Sequence, residues 1–242
     1  MNLASGIQDT GFQQAITIAS VAVYPLRACD GVSPKMVLGT MATRPALLVA
    51  IRDSHGCTGW GEVWANFPQR ASLHKAHLIE DVFVPKLTGV TFADPQEVTA
   101  NLGKELGIYA LHVGQEQVFE HVLAGLDTAL WDLALRTAGR SFADHMGIKV
   151  PALSYASSIN RDDLETRLTQ HAALGQRHFK VKLGFGEVED IAFVRRAHEL
   201  CQNGERLMID TNQSWNPETA RKMLDQLAEF DLLFSEEAIP AN

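Results

Sequence analysis

Three short apolar runs in the second half of the chain each end in charged or polar side chains. This repeat constrains the fold more than any other feature of the sequence. The runs are His178–Lys182, Leu207–Asn212 and Leu232–Glu237. Their charged ends, at positions 182, 210 and 236, follow one another in steps of 28 and 26 residues, with a helical pattern in each interval. A regular strand–helix step of this length predicts parallel strands joined by crossover helices.

The polar side chains at the ends of these strands are expected to meet at one site. Side chains alternate between the two faces of a strand, so Lys180 and Lys182 share a face, and Asp210 and Asn212 share a face. The carboxyl ends of parallel strands lie at one edge of the sheet, where α/β folds hold their active sites. The sequence therefore predicts two lysines, an Asp-x-Asn pair and a glutamate on a common rim.

The residue types on this rim indicate metal-assisted proton abstraction. Carboxylates are hard oxygen ligands suited to Mg²⁺. A divalent ion bound to a substrate carboxylate stabilises the dianion that forms when the α-proton leaves. A lysine accepts that proton only in its neutral form, which a second lysine two residues away and a nearby metal both favour.

Each of these features alone has a simpler interpretation. An isolated Lys-x-Lys is more often solvated surface, and Glu236 with Glu237 could be a charge pair at a strand end. Their combination at matching strand ends favours a site. We expect His178 to contribute packing, and Asp127 and Asp132, inside a long helix, to be structural partners.

The first 150 residues have a different pattern, which predicts an α+β domain with a boundary near residue 150. The predicted strands before the boundary are Ile16–Arg27 and a hairpin of Ala46–Ile51 and Cys57–Val63, with loops at Ala28–Thr43 and Trp64–Arg70. The predicted helices are one over 73–83 that is stopped by Pro85, one that begins at Asp94-Pro95, and one over 115–138. After it we expect a strand at 152–157 and helices over 162–174, 188–201 and 217–230.

Composition excludes several classes of function. A formal charge of −8 gives no basic patch for nucleic acid, and no apolar run approaches the roughly 20 residues that span a bilayer. Three scattered cysteines fit reduced thiols better than a disulfide framework. We therefore expect a cytoplasmic protein without nucleic-acid or membrane partners, with residues 1–15 as a loose tail.

The same residues resemble the enolase superfamily, in the mandelate racemase/muconate lactonizing enzyme group. The matching segments are 179–186 (FKVKLGFG), 208–212 (MIDTN), Glu236-Glu237, 124–133 (AGLDTALWDL) and 59–62 (GWGE). The resemblance spans roughly residues 16–242. It implies a capping domain over a modified TIM barrel, with the loops at Ala28–Thr43 and Trp64–Arg70 closing over the substrate.

The resemblance also implies a role for each residue of the rim. Lys182 resembles the catalytic base, and Lys180 the lysine that contacts the substrate carboxylate. Asp210 and Glu236 resemble the first two Mg²⁺ ligands, and Asn212 a polar, substrate-binding neighbour. Enolase-superfamily sites are a standard example of a lysine or histidine base combined with Mg²⁺.

Two points depart from the family pattern. Ala238 follows the two glutamates where the family usually has proline. Glu236 is preferred over Glu237 by resemblance and spacing, since the apolar run before them does not show which of the two side chains lies on the lysine face of the sheet. The chain also stops at Asn242, just past the fourth strand, whereas a TIM barrel needs eight. The expectation is a capping α+β domain at 16–150 followed at 151–242 by an incomplete (β/α) TIM-type barrel, truncated after its fourth strand.

The resulting functional prediction is a Mg²⁺-dependent enzyme that abstracts the α-proton of a small carboxylate. The product would be that of an acid-sugar dehydratase, a racemase or a cycloisomerase, and the full-length enzyme would be a homo-oligomer. One alternative is a truncated, catalytically inactive fragment of such an enzyme. Another is a complete open-sheet α/β protein that only resembles the family.

Overall fold

The computed structural model of the chain describes residues 15–28, 35–36, 39–40, 43–149, 154–201 and 203–241. The described residues of 1–35 and 40–150 form one compact unit, and those of 36–39 and 151–242 form another. Among the helices in these ranges, none combines the length and the apolar character that crossing a lipid bilayer requires.

The first unit combines an antiparallel sheet with helices. The strands of this half of the chain are β1 Ile16–Ala28, β2 Lys35–Met36, β3 Gly39–Thr40, β4 Arg44–Asp53, β5 Thr58–Val63 and β6 Thr91–Phe92. The helices are α1 Ala71–Leu78, α2 Val84–Leu87, α3 Pro95–His112, α4 Glu116–Thr137 and α5 Phe142–His145. The main sheet has the order β5-β4-β1-β6, and β2 pairs with β3. The predicted first strand, the hairpin of β4 and β5, and the long helix α4 are confirmed.

The predicted loop at Ala28–Thr43 is partly strand. Ala28 is the last residue of β1, and the short strands β2 and β3 lie within the range. Backbone N–H and C=O groups in a connecting segment still need partners, and local pairing supplies them here. Positions 29–34, 37–38 and 41–42 of the predicted loop lie outside the described residues.

The helix predicted to stop at Pro85 continues past it. Residues 71–87 run through α1, a π-helical turn at Ile79–Phe83 and then α2. Proline breaks a regular helix because it lacks an N–H and its ring clashes with the carbonyl four residues earlier. The carbonyl four residues before Pro85 belongs to Asp81, which lies in the π turn, where hydrogen bonds join residues five apart instead of four. The helix therefore ends at Leu87 rather than before Pro85.

Helix α4 packs on β5 through glycines that no other residue could replace without movement. A Cβ on Gly61 would lie 2.0 Å from the carbonyl oxygen of Gly125, and a Cβ on Gly59 would lie 2.3 Å from that of Ala129. This close approach buries the apolar face of α4, including Leu126, against the hairpin.

The two aspartates inside α4 are structural partners, as predicted. Asp127 accepts a hydrogen bond from the hydroxyl of Thr99 at 2.8 Å. Asp132 accepts one from the backbone N–H of Trp60 at 2.8 Å and pairs with Arg136. These contacts tie α4 to α3 and to the hairpin.

The second unit is a parallel sheet with crossover helices. Its elements are β7 Ala156–Ile159, α6 Leu164–Ala173, β8 His178–Lys182, α7 Glu187–Leu200, β9 Arg206–Asp210, α8 Pro217–Leu227 and β10 Ser235–Glu236. Short 3₁₀ turns at Arg161–Asp163 and Ala228–Phe230 precede α6 and follow α8. All pairings in the sheet, ordered β10-β9-β8-β7, are parallel. The predicted strand–helix alternation is confirmed.

The first strand of this unit lies later in the chain than predicted. It was expected at 152–157, but β7 begins at Ala156, where its pairing with Phe179 of β8 starts, and it extends to Ile159. Residues 152–153 lie outside the described residues. The predicted strand stops at Ser157 and therefore leaves out Ser158 and Ile159, because polar Ser158 ends the mainly apolar pattern.

The apolar face of β8 forms the centre of the core in this unit. Phe179, Val181 and Leu183 are each at most 1% exposed, and they cluster with apolar side chains of β9 and of the crossover helices. The alternation predicted for this strand is thereby confirmed, and it turns Lys180 and Lys182 to the opposite face.

Candidate active site

Three of the predicted site residues form one row across neighbouring strands. Lys182 of β8 is the register partner of Asp210 of β9, and Asp210 is the register partner of Glu236 of β10. Register partners in a parallel sheet point to the same face. The row lies at the carboxyl ends of the three strands, because β8, β9 and β10 end at these three residues.

Asp210 is the centre of this row. Its side chain is 2% exposed, and its Oδ2 lies 2.5 Å from Nζ of Lys182 and 3.6 Å from Nζ of Lys180. Its other oxygen, Oδ1, accepts a hydrogen bond from the backbone N–H of Asn212 at 2.9 Å. A nearly buried carboxylate is stable here because two ammonium groups and an N–H surround it.

Lys180 is held in its charged form by two carboxylates. Its Nζ lies 2.5 Å from Oε2 of Glu236 and 5.3 Å from the ring centroid of Tyr155. Burial by itself lowers the pKa of Lys180, but the hydrogen bond and negative charge of Glu236, with the charge of Asp210, raise that pKa above its ordinary value. A lysine whose pKa is raised suits anion binding better than proton abstraction.

Asn212 reaches the site by a route different from the predicted one. Strand β9 ends at Asp210, and Asn212 follows in a turn with a left-handed backbone, at φ 48°. The expectation that strand alternation aligns it with Asp210 is therefore wrong. Its Oδ1 nevertheless accepts a hydrogen bond from Nζ of Lys182 at 3.1 Å, since the turn folds the side chain back over the strand end.

The two consecutive glutamates point to different places. Glu236 lies in the row beside Lys180, whereas Glu237 has a left-handed backbone and accepts hydrogen bonds from the side-chain amides of Asn212 and Gln213, each at 3.1 Å. Glu236 is thus the residue that faces the lysines, and Glu237 holds the turn after β9.

Tyr155 is a neighbour of the site that the sequence analysis did not single out. It directly precedes β7, and its ring lies beside the ammonium group of Lys180. An aromatic face attracts a nearby cation. The only signal in the sequence was its position at the start of the strand that pairs with the lysine strand.

The donor chemistry of the row fits a divalent cation that prefers oxygen. Oxygens of both Asp210 and Glu236 lie within 3.6 Å of the single cationic group of Lys180. The two carboxylates therefore converge on one position, and hard carboxylate oxygens are the ligands that Mg²⁺ takes. No cluster of three or more His, Cys, Asp or Glu that could hold a metal occurs within the described ranges. Asp210 and Glu236 are two residues whose oxygens could ligate such an ion.

Comparisons with known proteins identify relatives of both units. The family model described as "Mandelate racemase / muconate lactonizing enzyme, N-terminal domain" matches residues 20–147. The model described as "Enolase C-terminal domain-like" matches residues 163–242. Among curated proteins, the chain is similar to the o-succinylbenzoate synthase of Bacillus subtilis (strain 168), with 26% identity over 235 residues, which are 94% of this chain and 59% of the synthase.

Solved structures give the same relationship. The chain is similar to a mandelate racemase/muconate lactonizing enzyme from Bordetella bronchiseptica RB50, with 36% identity, a TM-score of 0.83, and coverage of 95% of this chain and 60% of that protein. It is also similar to an enolase from Bradyrhizobium complexed with magnesium and mandelic acid, with 25% identity, a TM-score of 0.79, and coverage of 94% and 63%. The chain thus spans about 60% of the length of these relatives.

Proposed function

Because the chain belongs to the mandelate racemase/muconate lactonizing enzyme family of the enolase superfamily, whose fold is an N-terminal capping domain followed by a barrel domain, we propose that the protein is a Mg²⁺-dependent enzyme that abstracts the α-proton of a carboxylate substrate. The observation that carries the proposal is the row of Lys182, Asp210 and Glu236 with Lys180 beside it. That row combines two cations and two hard oxygen ligands at one strand edge.

The two carboxylates are assigned to the metal. Asp210 and Glu236 would hold Mg²⁺, and the bound ion would supply positive charge that stabilises the enolate formed from the substrate. Support comes from the convergence of both carboxylates on Lys180 and from the magnesium in the Bradyrhizobium structure.

The two lysines are assigned different tasks. Lys180, kept charged by Glu236 and Asp210, binds the substrate carboxylate and orients it. Lys182, in its neutral form, takes the α-proton onto its Nζ. Asn212 accepts a hydrogen bond from that same nitrogen, so it fixes the direction of the base and contributes a polar contact to the substrate.

The substrate class that this site favours is the 2-hydroxy carboxylates. Mandelic acid, bound in the Bradyrhizobium structure, is of this type, and acid sugars are its polyhydroxylated members. Within the class, we propose an acid-sugar dehydratase, and the racemase and cycloisomerase outcomes share its first step. We also propose that residues 16–150 are the capping domain and 151–242 the barrel segment, in a protein that forms homo-oligomers. Residues 1–14 of the predicted tail lie outside the described residues.

The test is hydrogen–deuterium exchange at the α-carbon of a panel of acid sugars and other 2-hydroxy acids in D₂O. The proposal expects Mg²⁺-dependent exchange or elimination with at least one member, lost in Lys182→Ala. Lys222→Ala is the matched control, because Lys222 is an exposed lysine of α8 whose carboxylate partner is Glu187, outside the row. Absence of exchange with every panel member would favour the competing prediction of a catalytically inactive chain.

A further inference from the structure

Asp190 is a fully buried carboxylate that lies outside the row of site residues. It stands in the first turn of α7 and is 0% exposed. Its Oδ2 accepts a hydrogen bond from the N–H of Gly184 at 2.8 Å, and its Oδ1 accepts one from the N–H of Phe185 at 3.3 Å. Oδ1 also lies 2.6 Å from Nη2 of Arg161.

The partner of Asp190 comes from the segment that follows the preceding strand. Arg161 opens the 3₁₀ turn directly after β7, and its guanidinium lies 5.0 Å from the ring centroid of Phe185 and 5.3 Å from that of Phe193. A buried carboxylate without such a cation would be strongly destabilising. The pair therefore links the end of β7 to the turn that follows β8.

That turn directly continues the lysine strand. Leu183, next to Lys182, donates its N–H to the carbonyl oxygen of Asp210 at 2.9 Å. Gly184 follows at φ 99°, and a Cβ there would lie 2.3 Å from Oγ of Ser214 in the segment after β9. The turn is thus enclosed between Asp190 on one side and the segment after β9 on the other.

The hydrogen bonds of Asp190 distinguish it from an ordinary helix cap. A capping carboxylate accepts from the first N–H groups of its own helix, whereas that of Asp190 accepts from residues 184 and 185, which precede α7. The backbone N–H of Asp190 donates to the carbonyl oxygen of Gly186 at 2.8 Å. Its bonds therefore shape the turn rather than terminate the helix.

We infer that Asp190, held by Arg161, is a positioning residue for the reaction: it fixes the turn after β8 and thereby the place of the Lys182 ammonium relative to Asp210. This inference rests on the proposed function, since Lys182 is the base only there. A displacement of about 1 Å in a reacting group is enough to lower a rate about 100-fold. Loss of Asp190 therefore lowers kcat and leaves KM unchanged, because Lys180 and Glu236 are untouched.

The test compares Asp190→Asn, the double variant Arg161→Met/Asp190→Asn, and Glu189→Gln as the control at an exposed acid in the same turn. Asparagine places an N–H₂ where one carboxylate oxygen accepted a backbone N–H, so the turn loses a bond in both variants. Asp190→Asn also leaves the partly exposed guanidinium of Arg161 without its charge partner, which lowers Tm. The double variant removes that unpaired charge, so its Tm recovers.

A positioning role predicts that kcat for α-proton exchange stays about 100-fold low in the double variant although its Tm recovers. Recovery of kcat together with Tm would mean that the pair is only a stabilising contact and would overturn the inference. A crystal structure of the double variant tests the positioning role without depending on enzyme turnover. The inference expects the Lys182 Nζ to Asp210 Oδ2 distance to exceed 2.5 Å by about 1 Å, and an unchanged distance rejects it even if no substrate is turned over.

Discussion

The ammonium group of Lys182 lies 2.5 Å from Oδ2 of Asp210, its register partner on the neighbouring strand. The same carboxylate is a proposed metal ligand, so this one contact joins the proposed base to the proposed metal site. The register of β8 and β9 places these two side chains opposite each other, and the turn after β8 that Asp190 holds lies directly beyond Lys182.

Replacing Asp210 is expected to remove Mg²⁺ binding. Asp210→Asn keeps the shape of the side chain but eliminates the charge and one of two hard oxygen ligands. Isothermal titration with MgCl₂ should give measurable binding to the wild-type protein and none to this variant. Asp225→Asn, at an exposed acid of α8, is the control and should bind like wild type. Equal Mg²⁺ affinity in Asp210→Asn and wild type would contradict the assignment.

Gly61→Ala is expected to destabilise the first unit. The added methyl group would meet the carbonyl oxygen of Gly125 at 2.0 Å, so α4 must move away from β5. Overpacking of this kind costs about 1–3 kcal/mol of unfolding free energy. Urea denaturation measures it.

Gly107→Ala is the matched control for that change. Gly107 lies inside α3, and a Cβ there would meet nothing within 4 Å. Since glycine is a poorer helix former than alanine, this variant should gain about 0.5–1 kcal/mol. Equal effects of the two substitutions would show that the close helix–strand approach has no energetic weight.

The stability of the first unit should fall as the pH is lowered below about 6.5, because of His121. Its Nδ1 lies 2.9 Å from Nζ of Lys75, whose side chain also donates to the carbonyl oxygen of Trp64. Burial, and then the positive charge of Lys75, lower the pKa of His121 from its ordinary value of 6.5. Below pH 6.5 the unfolded chain therefore binds a proton that the folded chain does not, so stability is complete above this pH and declines as the pH falls.

Thermal melts between pH 5 and pH 8 test this expectation. His121→Asn keeps an acceptor for Lys75 but cannot titrate, so its Tm should depend less on pH than that of the wild type. His77→Asn, at an exposed histidine of α1, should retain the wild-type dependence. If Tm changes with pH equally in His121→Asn and in the wild-type protein, the pH dependence of stability comes from other groups.

The parts of the site that could be predicted were those encoded by strand period. Alternation alone placed Lys180 and Lys182 on one face of β8, because Phe179, which precedes Lys180, and Val181, which lies between the two lysines, are buried on the other face. The 28-residue step then placed Asp210 opposite Lys182. Glu236 could not be separated from Glu237 in this way, since β10 has only two paired residues and the choice depends on a left-handed turn at Glu237.

Other features were hidden because their partners are distant in sequence or lie in the backbone. Asp190 looks like any acid in the first turn of a helix, yet its partners are two backbone N–H groups and Arg161, 29 residues away. Asn212 was placed in the site on a wrong basis, since strand β9 ends before it. Pro85 was misinterpreted because sequence patterns do not reveal a π turn.

The most direct test of the central claim is the Mg²⁺ dependence of α-proton exchange in wild type, Glu236→Gln and Glu237→Gln, measured in D₂O with the panel of 2-hydroxy acids. The two variants differ by one position, but only Glu236 faces Lys180 and the metal position. We predict that the wild-type protein and Glu237→Gln both catalyse exchange and that EDTA abolishes it in both. We predict that Glu236→Gln catalyses no exchange. Exchange that persists in EDTA, equal rates in the two variants, or no exchange by the wild-type protein would contradict it.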